Sequence, residues 1–303
     1  MNTIAITGAT SSMGISLVNE CLKRGCFVIA CMHKNSQHID RFPKSDRLQI
    51  VDFDLTDMKW DLHINRKCDV FFHLAWCGTD RESRGNPDLQ QGNIAYTLRA
   101  VHLAKDLGCK KFIGTGSQAE YGPHKRALLS PEDTVCPNTP YGISKYAAGQ
   151  LGAILAEQLG IDFFWIRVFS VYGRYDREET MLRSTLIQMK RGESCQFSEG
   201  TQIWDYLHCD DAAKALFLIG EKVKGNKIYC LGCGQKKQLK EYIIEMRSAL
   251  NSQLNLKFGE IPFKPGEEVG VYADISSLQE DTGWKPEIDF ACGIRNIIPC
   301  LSS

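Results

Sequence analysis

The sequence predicts an α/β fold, a doubly wound parallel sheet followed by a smaller C-terminal α+β lobe. Three observations carry that expectation. Short β-like runs alternate with helical stretches through the first half of the 303 residues. Several of these runs are apolar on both faces, as Val70-Phe71-Phe72-His73-Leu74-Ala75 shows, which suits a buried parallel sheet. The chain also opens with a strand, a glycine turn and a helix.

That opening is Thr3-Ile4-Ala5-Ile6-Thr7, then Gly8-Ala9-Thr10-Ser11-Ser12-Met13-Gly14, then the helical pattern Ile15, Leu17, Val18, Cys21, Leu22. Such a turn lets the backbone approach a pyrophosphate, and the following helix N-terminus offers N–H groups and positive partial charge. A Rossmann-type unit would carry a middle glycine at position 11, where Ser11 stands. Strands are expected at 3–7, 27–31, 48–52, 69–75, 111–115 and 162–168, with helices at 14–24, 87–107 and 141–159. The segment 119–140 reads as a long loop at the edge where ligands bind. After about residue 172 the alternation degrades into charged helices at 179–191 and 238–251, short strands, and loops rich in Gly and Pro. We therefore expect a Rossmann domain over 1–172, joined by segments near 203–232, and a substrate lobe made mainly of 173–303.

Composition excludes several classes. Thirty-six Lys and Arg balance 36 Asp and Glu, with no basic block, so neither nucleic acid nor a membrane surface is an expected partner. No apolar run reaches the roughly 18 residues that span a bilayer. Thirteen cysteines without a disulfide-like framework point to a reducing cytoplasm. Cys230-Leu231-Gly232-Cys233 is a lone C-x-x-C at an expected strand end, and no second ligand pair accompanies it, so no metal is expected. Asp210 and Asp211 read as helix capping, and His73 and His208 as structural histidines.

The chemistry-bearing stretch is Tyr141-Gly142-Ile143-Ser144-Lys145, with Ser117 upstream. A phenol has a pKa of about 10 and is a poor acid–base group at neutral pH. A lysine one helical turn away shares its helix face and favours the tyrosinate. The phenol could then exchange a proton with a carbonyl or an alcohol while a serine hydroxyl holds the same oxygen.

Taken with its opening turn, the chain resembles the extended short-chain dehydrogenase/reductase family, of the nucleotide-sugar epimerase, dehydratase and ketoreductase kind, over nearly its whole length. Thr7-Gly8-Ala9-Thr10 through Gly14 is similar to the cofactor loop, including Ser11, Ser12 and Met13. Asp54-Leu55 is similar to an adenine-contacting pair, and Leu74, Ala75 and Trp76 to a cofactor-lining stretch. Asn93, Lys145 and Phe169 are implied cofactor contacts as well. Thr115-Gly116-Ser117-Gln118-Ala119-Glu120-Tyr121-Gly122 resembles the segment that holds the catalytic serine. Arg167-Val168-Phe169-Ser170-Val171-Tyr172-Gly173 has Ser170 where the family has asparagine, and Trp204-Asp205-Tyr206 has Trp204 where it has arginine. The resemblance implies Tyr141 as general acid–base, Lys145 and Ser117 as its partners, a nucleotide-sugar substrate and a homodimer.

Gln118 and Ala119 narrow the reaction. Neither titrates, which argues against the family's 4,6-dehydratases and against its epimerase-reductases that carry cysteine there. Reduction of a 4-ketone and 4-epimerisation remain. The second strand ends Cys31-Met32-His33-Lys34-Asn35-Ser36, with no carboxylate until Asp40. Lys34, Asn35 and Ser36 suit the 2′-phosphate of NADP(H), with His33 beside them as a further expected cofactor contact and NAD(H) as the other cofactor. The expectation is therefore NADPH-dependent reduction of a nucleoside-diphosphate 4-keto-6-deoxy sugar, a step in deoxysugar or polysaccharide precursor biosynthesis. The alternatives are an NAD-dependent nucleotide-sugar 4-epimerase and a non-catalytic NADPH-binding sensor. Gln118, Ala119, Ser170, Arg174, Arg183 and Trp204 are the candidate substrate contacts, and Glu120 reads mainly as a structural hydrogen-bonding group.

Overall fold

Seven parallel strands form the central sheet of the computed structural model, which describes residues 1–57, 64, 66–263 and 269–301. β1 (Thr3–Thr7), α1 (Ser12–Lys23), β2 (Phe27–Met32), β3 (Leu48–Asp52), β4 (Val70–His73), α2 (Pro87–Asp106) and β5 (Lys111–Ser117) make its first half. The two-residue β6 (Leu128–Leu129), α3 (Pro140–Leu159) and β7 (Asp162–Val168) follow. Next come β8 (Ser170–Tyr172), α4 (Met181–Lys190), β9 (Ile203–Trp204), β10 (Tyr206–His208), α5 (Cys209–Lys222) and β11 (Lys227–Leu231). β12 (Lys237–Gln238), α6 (Leu239–Ala249), β13 (Tyr272–Ala273), α7 (Ser276–Thr282) and α8 (Phe290–Ile297) close the chain.

The sheet order is β11-β7-β5-β4-β1-β2-β3, parallel at every pairing. Strand order reverses between β1 and β4, and ligands of open α/β sheets bind outside the carboxyl ends at such a switch point. Apolar residues on both strand faces are buried, among them Ile4, Ile6, Phe71, Phe72, Phe112 and Ile113. On the face covered by α2 and α3, rings stack across the strands: Phe71 on Phe112 at 5.7 Å, Phe112 on Phe163 at 5.4 Å, and Phe163 on Trp165 at 6.0 Å. A separate apolar cluster joins α4, α6 and α8, where Phe290 meets Tyr242 at 4.6 Å and Tyr206 at 5.4 Å.

Local chemistry sets the element ends. Ser11 caps α1, its Oγ accepting from Gly14 N at 3.0 Å, which accounts for serine where a middle glycine was expected. Thr139 caps α3 by accepting from Gly142 N at 3.1 Å, Pro140 begins the helix, and Gly160 ends it at φ 67°. A Cβ on Gly149 of α3 would lie 2.7 Å from Trp165 Nε1, so this small residue lets the helix lie close on the sheet. β11, the seventh strand, ends at Leu231, where the Cys230–Cys233 segment was expected to leave a strand. One expectation needs correction. The expected loop at 119–140 contains part of a 3-10 turn at Gln118–Glu120 and β6, which pairs in parallel with β13.

Behind that turn lies a buried, multiply bonded charge. Glu120 is fully buried and accepts from Ser117 N at 2.8 Å, Trp165 Nε1 at 3.0 Å and Arg167 Nε at 3.0 Å. Arg167 also donates to Pro131 O at 3.0 Å and Tyr121 Oη at 3.1 Å. The structural role read for Glu120 is the one observed. Replacing Arg167 with Met leaves the carboxylate without its countercharge and should cost about 3–5 kcal/mol. Urea titration should show a lower midpoint at unchanged slope; a loss below about 1 kcal/mol would remove this pair from the account of stability.

Candidate active site

At the switch point the carboxyl ends of β1, β2, β3 and β4 open onto a cavity of about 550 Å³. Gly8, Thr10, Ser11 and Ser12 line it from the turn before α1, Asp54 and Leu55 from the end of β3, and Leu74, Ala75 and Trp76 from the end of β4. Gly8 has φ 68°, and a Cβ there would lie 2.7 Å from Ala75 N; one on Gly14 would lie 2.3 Å from Gly8 O. Only glycine permits so tight a turn beneath a helix N-terminus. The cradle, its volume and the N–H groups of α1 fit a dinucleotide.

Other expected cofactor residues stand further back. Met13 and Gly14 form the first turn of α1. Asn93 is buried, accepting from Cys77 N at 2.8 Å and donating to Cys77 O at 3.0 Å, so it holds the segment after β4. Phe169 packs in the core against Tyr121. Lys34 and Asn35 are both exposed in the turn after β2, outside the residues that line the cavity. The strand ends one residue before that turn, so His33 alone of the three faces inward, its Nε2 3.0 Å from Asp54 Oδ2. Sequence reading missed Arg41, which lines the cavity, donates to Thr10 O at 2.8 Å and lies over Tyr175 at 4.7 Å. Its only local signal is a short charged turn.

Tyr141 and Lys145 occupy successive turns on the buried face of α3, and Ser117 at the end of β5 stands beside the Tyr141 phenol. Burial raises the phenol's pKa, opposed by the Arg84 guanidinium and the Ser117 hydroxyl, with the Glu120 charge adding to the rise. Lys145 Nζ donates to Thr115 O at 2.6 Å and lies 3.7 Å from the centroid of the Trp76 ring. Burial pushes this ammonium down to about 7. Arg84 Cζ is 4.6 Å from the Tyr141 ring centroid, whereas Lys145 Nζ is 5.8 Å away. Trp76 and Arg84 both line the cavity, so they stand between it and the tyrosine–lysine pair. His73, fully buried with Nδ1 2.9 Å from Thr7 Oγ1, is pushed by desolvation to about 3 and stays neutral.

The candidate substrate residues divide. Gln118 and Ala119 sit beside Ser117 in the 3-10 turn, and Ala119 O crowds Gly142 at the start of α3. Ser170 faces Tyr206 across the β8–β10 pair, and Trp204 packs on the Tyr206 ring at 6.2 Å. Arg174 is exposed near Tyr175. Arg183 is buried and donates to Arg174 O at 2.8 Å and Cys300 O at 3.2 Å, which knits α4 to the C-terminal segment. Arg177, which follows Gly173 with Arg174 and Arg183, bonds Thr79 Oγ1 at 2.6 Å and lines the cavity. Behind the cofactor turn, Ser12 Oγ donates to Asp176 Oδ1 at 2.7 Å and accepts from Tyr175 N at 3.0 Å. His208, Cys209 and Asp210 bring ligand-type atoms within 4.8 Å of one another. Their bonds are internal, since His208 Nδ1 caps α5 by accepting from Asp210 N and Asp210 takes the Ser16 hydroxyl at 2.6 Å. Capping therefore falls to His208, while buried Asp211 accepts from Glu287 N and Ile288 N.

A model of the NAD dependent epimerase/dehydratase family matches residues 4–232. The chain belongs to this family. It is 26% identical to a putative UDP-glucose 4-epimerase of Methanocaldococcus jannaschii, across 97% of both chains. A UDP-glucuronate 4-epimerase of Thermodesulfobacterium geofontis is 24% identical, over 97% of this chain and 94% of that one. Among solved structures, a UDP-N-acetylglucosamine 4-epimerase of Methanobrevibacter ruminantium superposes with a TM-score of 0.88 at 24% identity, covering 99% and 97% of the two chains. The epimerase/dehydratase fold is thus reproduced along the full chain.

The buried ammonium makes one stability prediction. A lysine whose folded pKa is about 7, well below its ordinary value, costs most below pH 7, and the cost fades as pH rises toward about 10.5. Lys145→Met, measured on nucleotide-stripped protein, should raise Tm at pH 6 and lose that gain by pH 10. A Tm gain that grows with pH would contradict the assignment.

Proposed function

We propose that this chain is a nucleotide-sugar 4-epimerase that oxidises a sugar carbinol at C4 and re-reduces it. The observation that carries the reading is the placement of Tyr141 and Lys145 on successive turns of the buried face of α3, with Ser117 beside the phenol, in a site where positions 118 and 119 cannot titrate. Similarity to UDP-glucose and UDP-glucuronate 4-epimerases across nearly the whole chain supports it. Tyr141 Oη takes the proton of the C4 hydroxyl and later returns one. Ser117 Oγ orients that oxygen, and Lys145 supplies positive charge and hydrogen bonds next to the phenol. Thr10, Ser11 and Ser12 with the N-terminus of α1 would hold the pyrophosphate of NAD, Asp54 and Leu55 its adenosine end, and Leu74 and Ala75 its middle. NAD, when bound, accepts and returns the hydride.

A second reading, NADPH-dependent reduction of a 4-keto-6-deoxy sugar, is favoured by one observation. The end of β2 presents His33 and no carboxylate, with Arg41 close by in the same cavity. A homodimer is also proposed: Ile143, Leu151 and Ile154 of α3 are 50%, 45% and 54% exposed and line one side of the helix that carries Tyr141. Among the described residues no helix is long and apolar enough to cross a membrane. Thirteen free cysteines suit a reducing cytoplasm.

Two assays separate the readings. The epimerase retains NAD through purification and interconverts UDP-glucose and UDP-galactose, or the corresponding uronates, without added cofactor. The reductase consumes NADPH stoichiometrically with a nucleotide 4-keto-6-deoxy sugar, and that outcome would replace the first reading. In either case Tyr141→Phe should lose at least about a hundredfold in kcat; retention of a tenth of the rate would remove Tyr141 from the chemistry.

A further inference from the structure

We propose that Arg84 is a positioning residue for proton transfer: its guanidinium, laid on the Tyr141 ring, fixes the phenol and supplies positive charge that favours the tyrosinate. This rests on Tyr141 being the acid–base group, and on nothing about which sugar or cofactor is used.

The geometry is specific. Arg84 Cζ lies 4.6 Å from the Tyr141 ring centroid, within cation–π range, and the same side chain lines the cavity. Among the described residues no carboxylate or carbonyl engages this guanidinium. Arg84 stands in the one-turn 3-10 helix Ser83–Gly85, and that turn is pinned. Arg84 N donates to Asp80 O at 3.0 Å, and Ser83 N donates to Asp80 Oδ1 at 2.8 Å. Gln90, fully buried in α2, donates through Nε2 to Ser83 O at 3.0 Å and Gly78 O at 2.7 Å. The Oε1 of the same amide accepts from Trp76 Nε1 at 2.8 Å. One buried side chain therefore sets both cover groups, Trp76 on Lys145 and Arg84 on Tyr141.

The groups facing Tyr141 come from four elements. Arg84 comes from the 3-10 turn, Ser117 from β5, Glu120 from the turn after β5, and Lys145 from α3 itself. Lys145 is directed at Thr115 O and the Trp76 face, and the Glu120 carboxylate is already paired with Arg167. Arg84 is thus the cation laid on the phenol ring. A guanidinium cannot lose its charge at working pH, so its influence persists where a lysine of pKa near 7 fades.

At about 5 Å and surface-like dielectric, such a charge should move the tyrosine titration by at least about half a pH unit. The test is the Tyr141 Cζ resonance of 13C-labelled protein, assigned by its loss in Tyr141→Phe, titrated in wild type, Arg84→Gln and Arg84→Lys. Arg84→Gln should raise the titration midpoint by at least about half a unit and move the acidic limb of kcat/KM the same way, and Arg84→Lys should restore most of both. An unmoved midpoint in Arg84→Gln, even with reduced turnover, overturns the proposal and leaves Arg84 a ligand contact. Because the resonance needs no substrate, wild-type protein inactive on every sugar would sink the proposed reaction while this titration still decides Arg84.

Discussion

The site depends on one buried carboxylate. Glu120 gathers the backbone N–H of Ser117, the indole of Trp165 and the guanidinium of Arg167. These belong to the end of β5 and to β7, and Arg167 extends the network to Pro131 and Tyr121. A buried carboxylate tolerates little displacement of its donors, since each lost bond exposes a desolvated charge. The position of the Ser117 hydroxyl relative to α3 is therefore fixed by charge burial as much as by the sheet. Gly116 belongs to the same constraint: a Cβ there would lie 2.2 Å from Glu120 Oε1.

Around the phenol the charges are arranged in layers. Glu120 and Arg167 neutralise each other beneath the site. Lys145 is held between a carbonyl and an indole face, an environment that weakens its ammonium. Arg84 lies on the open side, partly solvated and permanently charged. The pair Tyr141 and Lys145 shares a helix face as its spacing requires, and its electrostatics are set by segments remote in sequence.

That division explains what was legible in the sequence. The strands β1 to β5, β7 and the helices between them follow from apolar runs and helical periodicity, which are local properties. The spacing of Tyr141 and Lys145 told that they share a helix face, and the fold brings Ser117 beside them. β11 was legible only at its carboxyl end, near Cys230, because its five residues carry no long apolar run. Arg41 and Arg84 escaped for another reason: a surface-type arginine acquires meaning only from the ring or carbonyl it meets across the fold. Lys34 and Arg183 show the converse. Both had suitable charge, but a turn carries Lys34 outward, and backbone carbonyls draw Arg183 into the C-terminal packing.

The hydroxyl of Ser12 ends the chain of dependence. It belongs to the turn that fits a pyrophosphate, yet it bonds Asp176 and the backbone of Tyr175, which packs on the main core. Asp176 is largely buried, and desolvation raises its pKa, so this contact is not a loose surface one. A displacement of 173–180 would have to pass through the atom that shapes the phosphate turn. The turn before α1 and the segment after β8 are therefore joined mechanically through a single hydroxyl group.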